Sequence, residues 1–441
     1  MSHGRYFDTG ADDEMDTALR LPKVVFPVPE TAPAMQAVQV RVPWRRVMLI
    51  ALIFWGISRV VYLLLGIVAS LLPQVPGAHG LGMLGLWQRF DTNWYLGIAS
   101  QGYSKPAQIA FFPLYPALIR VASIVTGGNL LVAALLVANV SCLTALIAVG
   151  GLAARELRDV RAVTFSMLAL LLYPFSFFLT AAYTEGLFVT FAALSLLFAR
   201  QGRWRLAGLM ALLAAATRPT GVALIAPLAW EWLRQRQLTH PAIGAALLRP
   251  GRIQVARGWL SELARAVRAE WTGILAIFAV PAVLAAMTAY AGLRFHHPLL
   301  IFYVRRDYWG LKSAPILPTL YREVSDIFLN PAGSITQFII VLDLLALAAV
   351  TVAAVVWFRR TPFAFTLYTL GLLYLAVAQP TSGGLHALQG PGRYLVPALP
   401  LFLGMSEVLE RRPKLAVAIF TLCAVLQGVI ALRFLTGVLI E

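Results

Sequence analysis

The sequence predicts an all-α polytopic membrane protein, and its composition, its apolar runs and its basic clusters support this class. Hydrophobic residues make up 59% of the 441 residues, and charged residues make up only 13%. The mean hydropathy is +0.76, far above that of an ordinary soluble domain. Apolar runs long enough to cross roughly 30 Å of hydrocarbon recur along the chain. Short basic clusters separate these runs, as in proteins that cross a membrane several times.

The apolar runs define about eleven predicted transmembrane helices, some of them short. These runs are residues 47–72, 129–153, 161–178, 183–200, 204–218, 219–235, 271–292, 335–357, 363–379, 393–410 and 414–438. A further run, 110–126, contains two prolines and Arg120. This run is therefore either a full span or a re-entrant or interfacial helix.

The basic residues decide between these alternatives. Arg41, Arg45 and Arg46 precede the first span and place the N-terminus in the cytoplasm. If 110–126 does not cross, every later basic cluster also lies in the cytoplasm; if it crosses, almost all of them lie outside. We therefore predict that 110–126 does not cross and that the C-terminus is external. The positive-inside rule also explains the net charge of +16 better than nucleic-acid binding does.

This topology predicts the domain organisation. Residues 1–40 are polar and lack the basic-then-apolar order of a signal peptide, so they are predicted to form a flexible cytoplasmic tail. Residues 41–441 are predicted to form a single transmembrane domain. Its first external loop is 73–128, and 293–334 and 380–392 are later external loops. The unusual polar residues of the chain fall on this external side.

Two acids on that side are candidate catalytic residues. Asp91 lies in the first external loop, between Arg89 and a group of polar and aromatic residues. A carboxylate at the mouth of a dry cavity can act as a general base, although a solvated acid paired with Arg89 is also compatible with the sequence. Glu185 lies between two spans in apolar surroundings, where an acid usually faces a cavity or a partner, or else reaches the membrane interface. The two acids belong to different loops that could converge.

Three basic residues on the same side are candidates for binding an anion. Arg218 lies in ATRPTG, His386 in SGGLHALQ and Arg393 in GPGRYLVPALPLF. An arginine beside an apolar span, with Gly and Pro shaping the backbone, suits bidentate binding of a phosphate. Each arginine could equally be an interfacial anchor or half of an internal ion pair.

No metal or cofactor is predicted. His296 and His297 are adjacent and point to opposite faces of an extended segment, and no third ligand has a recognisable spacing. Cys142 and Cys423 lie within predicted spans and indicate neither a disulfide framework nor a metal site. Trp309 follows in the external segment 293–334, where it could stack on a sugar face or anchor the loop at the interface.

Four segments together resemble the PIG-V mannosyltransferase family. The first is WQRFDTNWYLGIASQGY with AFFPLYPALIR, and the second is YPFSFFLTAAYTEGLFVTFAALSLLFAR with RWRLAGLMALLAAATRPTGVALI. The later segments HHPLLIFYVRRDYWG and GPGRYLVPALPLF resemble its later loops. The resemblance covers roughly residues 47 to 410. It implies a GT-C glycosyltransferase fold, with short helices in the first external loop and a lipid-phosphate sugar donor.

The resemblance also implies roles for the candidate residues. Asp91 matches the catalytic base, Glu185 the acid of the second loop, and Arg393 the phosphate-binding arginine. The remaining predicted substrate-binding residues are Arg89, Asn93, Trp94, Tyr95, Tyr103, Arg218, Trp309 and His386. The implied reaction transfers a hexose, mannose, from a polyprenyl phosphate to a glycolipid or other extracytoplasmic acceptor, with inversion. Glu185 would orient the acceptor or balance an arginine.

The loops are shorter than those of the eukaryotic relatives, so the acceptor need not be an anchor glycolipid. The absence of a eukaryotic targeting signal favours a bacterial plasma membrane. A transporter or flippase for a lipid-linked saccharide is the alternative function, because such proteins also combine many spans with a few buried charges. The polar residues here cluster on one predicted face, which favours chemistry on a lipid-borne substrate. A catalytically silent scaffold that retains the fold is a third alternative.

Overall fold

Most residues are helical in the part that the computed structural model describes, which comprises residues 42–75, 82–239, 252–378, 380–381, 387–388 and 390–438. The predicted tail and His386 lie outside these residues. The longer helices are α1 (Trp44–Leu71), α2 (Asp91–Gln101), α3 (Leu114–Ala122), α4 (Leu130–Glu156), α5 (Val160–Leu172), α6 (Glu185–Arg200), α7 (Trp204–Thr217), α8 (Ile225–Gln235), α9 (Arg252–Ala269), α10 (Trp271–Phe295), α11 (Ile316–Leu329), α12 (Ile335–Trp357), α13 (Phe363–Val377), α14 (Leu399–Leu409) and α15 (Pro413–Leu435). The only β pairing in this part is an isolated antiparallel bridge between Leu311 and Thr381.

Five of the described helices are long and apolar enough to cross a membrane, namely α1, α4, α10, α12 and α15. Four shorter apolar helices are α5, α7, α13 and α14. The prediction of an all-α protein with several membrane-spanning helices is therefore confirmed. The predicted number of about eleven spans stays a prediction, because an 11-residue helix such as α14 reaches only about 17 Å.

Three predicted spans are interrupted, and their boundaries differ from the predicted ones. The run 161–178 forms α5 and then a 3₁₀ turn at Ser176–Leu179, and the run 219–235 begins with the 3₁₀ turn Pro219–Leu224. The run 393–410 begins in the short helix Pro391–Tyr394 and continues as α14 only from Leu399. A proline stands at each interruption, at positions 174, 219 and 397, because proline lacks the N–H that a helix interior requires. Irregular backbone at membrane depth is tolerated where protein surrounds it.

The run 110–126 forms only the nine-residue helix α3. Such a helix is about 14 Å long, roughly half of the hydrocarbon thickness. That the run does not cross the membrane stays a prediction. Arg120 and Val121 at its end are exposed.

Helices α4, α6, α7 and α10 pack in succession, since α6 contacts both α4 and α7, and α7 contacts α10. Small residues permit close approach at these contacts. A Cβ at Gly208 of α7 would lie 2.8 Å from the Cα of Ala276 in α10, and one at Gly186 of α6 would lie 3.0 Å from the Cβ of Ser141 in α4. Many large apolar side chains of α1 remain exposed, including Ile57 and Val60, as expected of a helix that faces lipid.

The two ends of α6 carry different charged groups. At its C-terminal end Arg200 pairs with Glu156 of α4 at 2.9 Å and with Glu231 of α8 at 3.3 Å. At its N-terminal end lies Glu185, about 23 Å away along the helix axis. The basic cluster around Arg200 is therefore at the opposite end of α6 from the candidate acid.

Candidate active site

Asp91 is the first residue of α2, and the backbone before it is strained. Phe90 has φ +45° and ψ −117°, a conformation that non-glycine residues rarely adopt. Such a residue persists only where its surroundings enforce it, and it often marks a functional site. The ring of Phe90 packs edge-on against Phe434, with ring centroids 5.6 Å apart. The carboxylate of Asp91 also benefits from the positive end of the α2 dipole.

The other charged candidates also lie where helices begin or end. Glu185 is the first residue of α6 and is completely buried. Arg218 immediately follows the C-terminus of α7, where the helix dipole favours a cation. Arg393 lies in the short helix Pro391–Tyr394, which precedes α14.

The structure brings these four residues into one continuous network. Arg393 donates from Nη2 to Oδ2 of Asp91 at 3.0 Å and from Nε to Oε1 of Glu185 at 2.5 Å. Arg218 donates from Nη1 to the same oxygen of Glu185. The order is Asp91, Arg393, Glu185, Arg218, so two carboxylates and two guanidinium groups balance in charge. Asp91 pairs with Arg393 here, whereas the alternative from the sequence paired it with Arg89.

Exposure distinguishes the members of the network. The side chain of Asp91 is 19% exposed, those of Arg393 and Arg218 are 8% exposed, and that of Glu185 is fully buried. Asp91 is thus the carboxylate that a reactant can reach. Glu185 is inaccessible and pairs with both arginines, so its position suits balancing their charge.

Aromatic rings surround the arginines. The guanidinium carbon of Arg393 lies 4.5 Å from the ring centroid of Tyr183 and 4.9 Å from that of Phe178. The guanidinium of Arg218 stacks on Tyr394 at 5.2 Å. These are favourable cation–π distances. The rings also surround the guanidinium groups with apolar surface, and electrostatic interactions are stronger in such surroundings.

Tyr95 lies one turn after Asp91, buried against Tyr115 and Tyr183. Burial, together with the charge of Asp91, raises the pKa of the Tyr95 hydroxyl well above its ordinary value. This hydroxyl therefore stays neutral. It supports the wall of the site and does not supply an anion.

Trp94 and Trp309 belong to an aromatic cluster beside the start of α2. Trp94 stacks on Phe111 at 5.6 Å and meets the edge of Trp309 at 5.6 Å. Tyr308 completes the cluster and is exposed. Tyr103 lies further away in this loop, where its hydroxyl donates to the carbonyl of Phe111 at 2.6 Å.

Two predicted substrate-binding residues have other partners. Arg89 is buried and donates to Oε1 of Gln74 at 2.7 Å and to the carbonyl of Leu435 at 2.9 Å. These contacts tie the first loop to the end of α15. Asn93 is exposed and accepts from Nε2 of Gln88 at 2.9 Å. Binding of substrate by Arg89, Asn93 or His386 stays a prediction.

His296 and His297 do not converge on other ligand types. His296 follows α10 with a left-handed backbone, φ +56°, and the ring of His297 packs on Tyr303 at 4.8 Å. Within the described residues there is no group of three or more His, Cys, Asp or Glu side chains that could hold a metal ion.

Three buried acids that were not predicted as functional residues hold the segment before Arg393. Oε2 of Glu323 accepts from the amide of Leu388 at 2.7 Å, and Oδ2 of Asp326 accepts from that of Ala387 at 3.0 Å. Asp343 accepts from the amide of Gly392 at 2.9 Å. The available signal was Asp343 itself, the one charged residue in the apolar run 335–357.

Arg59 was also not predicted as a functional residue, although it is the one charged residue of the run 47–72. Its guanidinium donates to Oδ1 of Asn139 in α4, and at 2.8 Å to Oγ1 of Thr180. The rings of Trp55 and Tyr62 lie 5.5 Å from its guanidinium carbon. Arg59 therefore ties α1 to α4 and to the segment that leads into Glu185.

A cavity of about 220 Å³ lies beside the network. Its walls are mainly apolar and are formed by residues from α10, α13, the segment 301–311 and the segments after both arginines; they include Thr220, Val222, Leu284, Thr288, Leu375 and Tyr394. Arg305 is the charged residue in its lining. The hydroxyl of Thr220 is buried and has no hydrogen-bond partner in the described part of the chain.

The fold and the site define an all-helical integral membrane protein with a buried carboxylate–arginine network next to an apolar cavity. No family model and no curated protein matches the chain.

The fold is similar to that of solved structures of the oligosaccharyltransferase from Archaeoglobus fulgidus. A crystal structure with Zn and sulfate is 13% identical, with a TM-score of 0.40, covering 86% of this chain and 53% of that one. A crystal structure tethered to an acceptor peptide containing the NVT sequon is 14% identical, with a TM-score of 0.39, covering 86% and 55%.

A third structure is the archaeal oligosaccharyltransferase AglB from the same organism in complex with an inhibitory peptide and a dolichol-phosphate. It is 14% identical, with a TM-score of 0.37, and the match covers 86% of this chain and 56% of that one. The chain thus spans about half of the length of the structures that it matches.

Proposed function

We propose that this protein is a membrane glycosyltransferase of the GT-C type. It transfers a hexose, mannose, from a polyprenyl-phosphate donor to a lipid-linked or other extracytoplasmic acceptor. The observation that carries this proposal is the network of Asp91 and Arg393 beside an apolar cavity. An acid within reach of a reactant, a guanidinium for a phosphate and a space for an apolar chain lie together in this arrangement. The resemblance to PIG-V mannosyltransferases supports the choice of sugar.

The arginines suit a phosphate-bearing lipid. A guanidinium offers five N–H donors in a planar fork that matches phosphate oxygens. The cavity is walled in part by Pro219 and Thr220, directly after Arg218, and by Tyr394, directly after Arg393. A prenyl chain in this cavity would therefore place its phosphate close to both arginines, with apolar burial of the chain contributing to binding.

The reaction is a single displacement. The acceptor hydroxyl oxygen attacks the anomeric carbon and forms the new glycosidic bond, while the bond from that carbon to the phosphate oxygen breaks. The electron pair leaves with the phosphate, and the acceptor proton passes to Asp91. The configuration inverts. Arg393 stabilises the charge on the departing phosphate, which needs no protonation, so the two-carboxylate arrangement of glycoside hydrolysis is not required.

Donor binding also activates the base. Asp91 pairs with Arg393 in the structure, so one of its carboxylate oxygens is occupied by the guanidinium until the donor binds. A donor phosphate takes over the Nη2 donor of Arg393 and releases Asp91 to accept the acceptor proton. Glu185 remains between the two arginines and keeps their charges balanced. Asp91 is therefore free to act as a base only when the donor is bound.

The test of the proposal is transfer of radiolabelled mannose from synthetic polyprenyl-phosphate mannose to extracted membrane glycolipids by the purified protein. Transfer with inversion that is lost in Arg393→Ala supports the proposal. Uptake of the labelled lipid across proteoliposome membranes without transfer would replace it with the transporter alternative. We also propose that the site lies on the extracytoplasmic face of a bacterial plasma membrane. A separate assay tests this face: right-side-out vesicles should use donor that is added to the outside.

Filling the cavity should weaken the use of long donors. Leu375 lines the cavity, so Leu375→Trp is expected to raise the KM for a polyprenyl donor about tenfold while leaving that for a donor with a methyl group in place of the prenyl chain within about twofold, because only the prenyl chain occupies the cavity. Initial rates with both donors provide the measurement. Leu370→Trp is the matched control, because Leu370 is 50% exposed on the same helix. An equal change for both donors would exclude the cavity as the chain site.

A further inference from the structure

Gly392, the residue before Arg393, is held at both of its polar backbone groups. Its amide donates to Oδ1 of Asp343 in α12 at 2.9 Å, and its carbonyl accepts from the hydroxyl of Tyr173 at 2.9 Å. Asp343 and Tyr173 come from different parts of the chain, and both are buried. Together they fix the position and the orientation of the residue that leads into Arg393.

The third side of Gly392 is closed by an aromatic ring. A Cβ at this position would lie 2.1 Å from the ring of Phe175, which real contacts do not allow. Glycine is therefore required here by close packing. Gly390, two residues earlier, has φ +53°, a backbone conformation that favours glycine. Both positions therefore favour glycine, Gly390 for its backbone conformation and Gly392 for its close packing.

The acids that hold this segment differ from those of the active site. Asp91 and Glu185 bind arginine side chains, whereas Glu323, Asp326 and Asp343 accept from backbone amides of residues 387–392. A buried carboxylate carries a large desolvation penalty, and a charge-assisted bond to an amide offsets part of it. Three such bonds hold the backbone at Ala387, Leu388 and Gly392.

We infer that Asp343 and Tyr173 are positioning residues that set the guanidinium of Arg393 for the donor phosphate. This inference deepens the proposed function and rests on it. The clamp formed by Asp343, Gly392 and Tyr173 holds Arg393 at the distance at which it meets both Asp91 and Glu185. When either hydrogen bond to Gly392 is lost, the guanidinium moves away from this geometry and the phosphate is bound less tightly.

The first readout does not depend on catalysis. Phenylglyoxal modifies accessible arginines, and the rate at Arg393 is followed by mass spectrometry in the full-length protein, with the exposed Arg120 as internal reference. Asp343→Ala is expected to raise the rate at Arg393 about tenfold and Tyr173→Phe about threefold, because each removes one hydrogen bond from the clamp. Asp343→Asn retains an acceptor oxygen and is expected to restore most of the protection.

Tyr368→Phe is the matched control. Tyr368 is also fully buried, but its hydroxyl has no hydrogen-bond partner in the described part of the chain, so its removal should leave Arg393 protected. If Asp343→Ala fails to fold, Tyr173→Phe alone decides. Protection of Arg393 that is unchanged in Tyr173→Phe, or lost equally in Tyr368→Phe, would overturn the inference.

The second readout links the clamp to the phosphate. Tyr173→Phe is expected to weaken binding of polyprenyl phosphate about threefold in the wild-type background and to have no effect in an Arg393→Ala background, since it acts through Arg393. Equal weakening in both backgrounds would show a general structural effect and overturn the inference. A wild-type protein that binds no polyprenyl phosphate would contradict the proposed donor, whereas the modification rates would still report on the clamp.

Discussion

Asp91→Asn is expected to lower the rate of glycosyl transfer by at least about a thousandfold, the upper part of the range for loss of a general base. Asparagine has nearly the same shape, and its carbonyl oxygen can still accept from Nη2 of Arg393. It cannot take the proton of the acceptor hydroxyl. The variant should therefore fold and bind the donor with little change in affinity, while kcat falls.

Single-turnover transfer with a preformed donor complex measures this effect, because it separates chemistry from donor binding. Asp307→Asn is a suitable control, since Asp307 is another acid of the predicted external side but is 57% exposed and pairs with Arg306. Transfer by Asp91→Asn at a rate within about tenfold of wild type would remove Asp91 from the role of base. A different group near Arg393 would then have to accept the proton of the acceptor hydroxyl.

Glu185→Ala is expected to destabilise the folded protein by about 3–5 kcal/mol, the usual consequence of removing one partner from a buried ion pair. Both Arg218 and Arg393 donate to a single oxygen of Glu185. Removal of that carboxylate leaves two guanidinium groups close together in an apolar interior with one accessible acid, Asp91, to balance them. Repulsion and incomplete solvation both disfavour this state.

Thermal unfolding in detergent, followed by loss of tryptophan fluorescence, measures this destabilisation. The double variant Glu185→Leu with Arg218→Met should be more stable than Glu185→Ala, because it removes a charge of each sign together. Glu262→Ala is the exposed control: Glu262 is 48% exposed and pairs with Arg265 within α9, where an ion pair contributes at most about 1 kcal/mol. Equal midpoints for Glu185→Ala and wild type would mean that the network does not stabilise the fold.

The order of the apolar runs and the all-α class were predictable from the sequence. Composition and span length depend on local residues, and the helices α1, α4, α10, α12 and α15 fall on long apolar runs. The interruptions within the predicted spans were less predictable. Proline 219 indicates a break, but whether a helix resumes at once or after a turn depends on the neighbours that pack against the irregular backbone.

Asp91, Glu185, Arg218 and Arg393 could be selected from the sequence, because charged residues beside apolar spans are rare and need partners. Which of these residues pair with each other could not be predicted. Arg393 lies 302 residues from Asp91 and 208 from Glu185, and sequence spacing sets no distance between them. The same limit hid the function of Asp343, whose partner is a backbone amide with no side-chain signal in the sequence.

The sequence by itself determined that the chain is a helical membrane protein and which charged residues needed a partner, because burial of apolar runs and the penalty for an isolated charge are local properties. Only the tertiary structure decided that Glu185 joins two arginines, that Arg89 is bound to the end of α15, and that Gly392 is held from three sides. Each of these depends on contacts between segments far apart in the chain, where packing and hydrogen-bond geometry select one partner among several that the sequence allows.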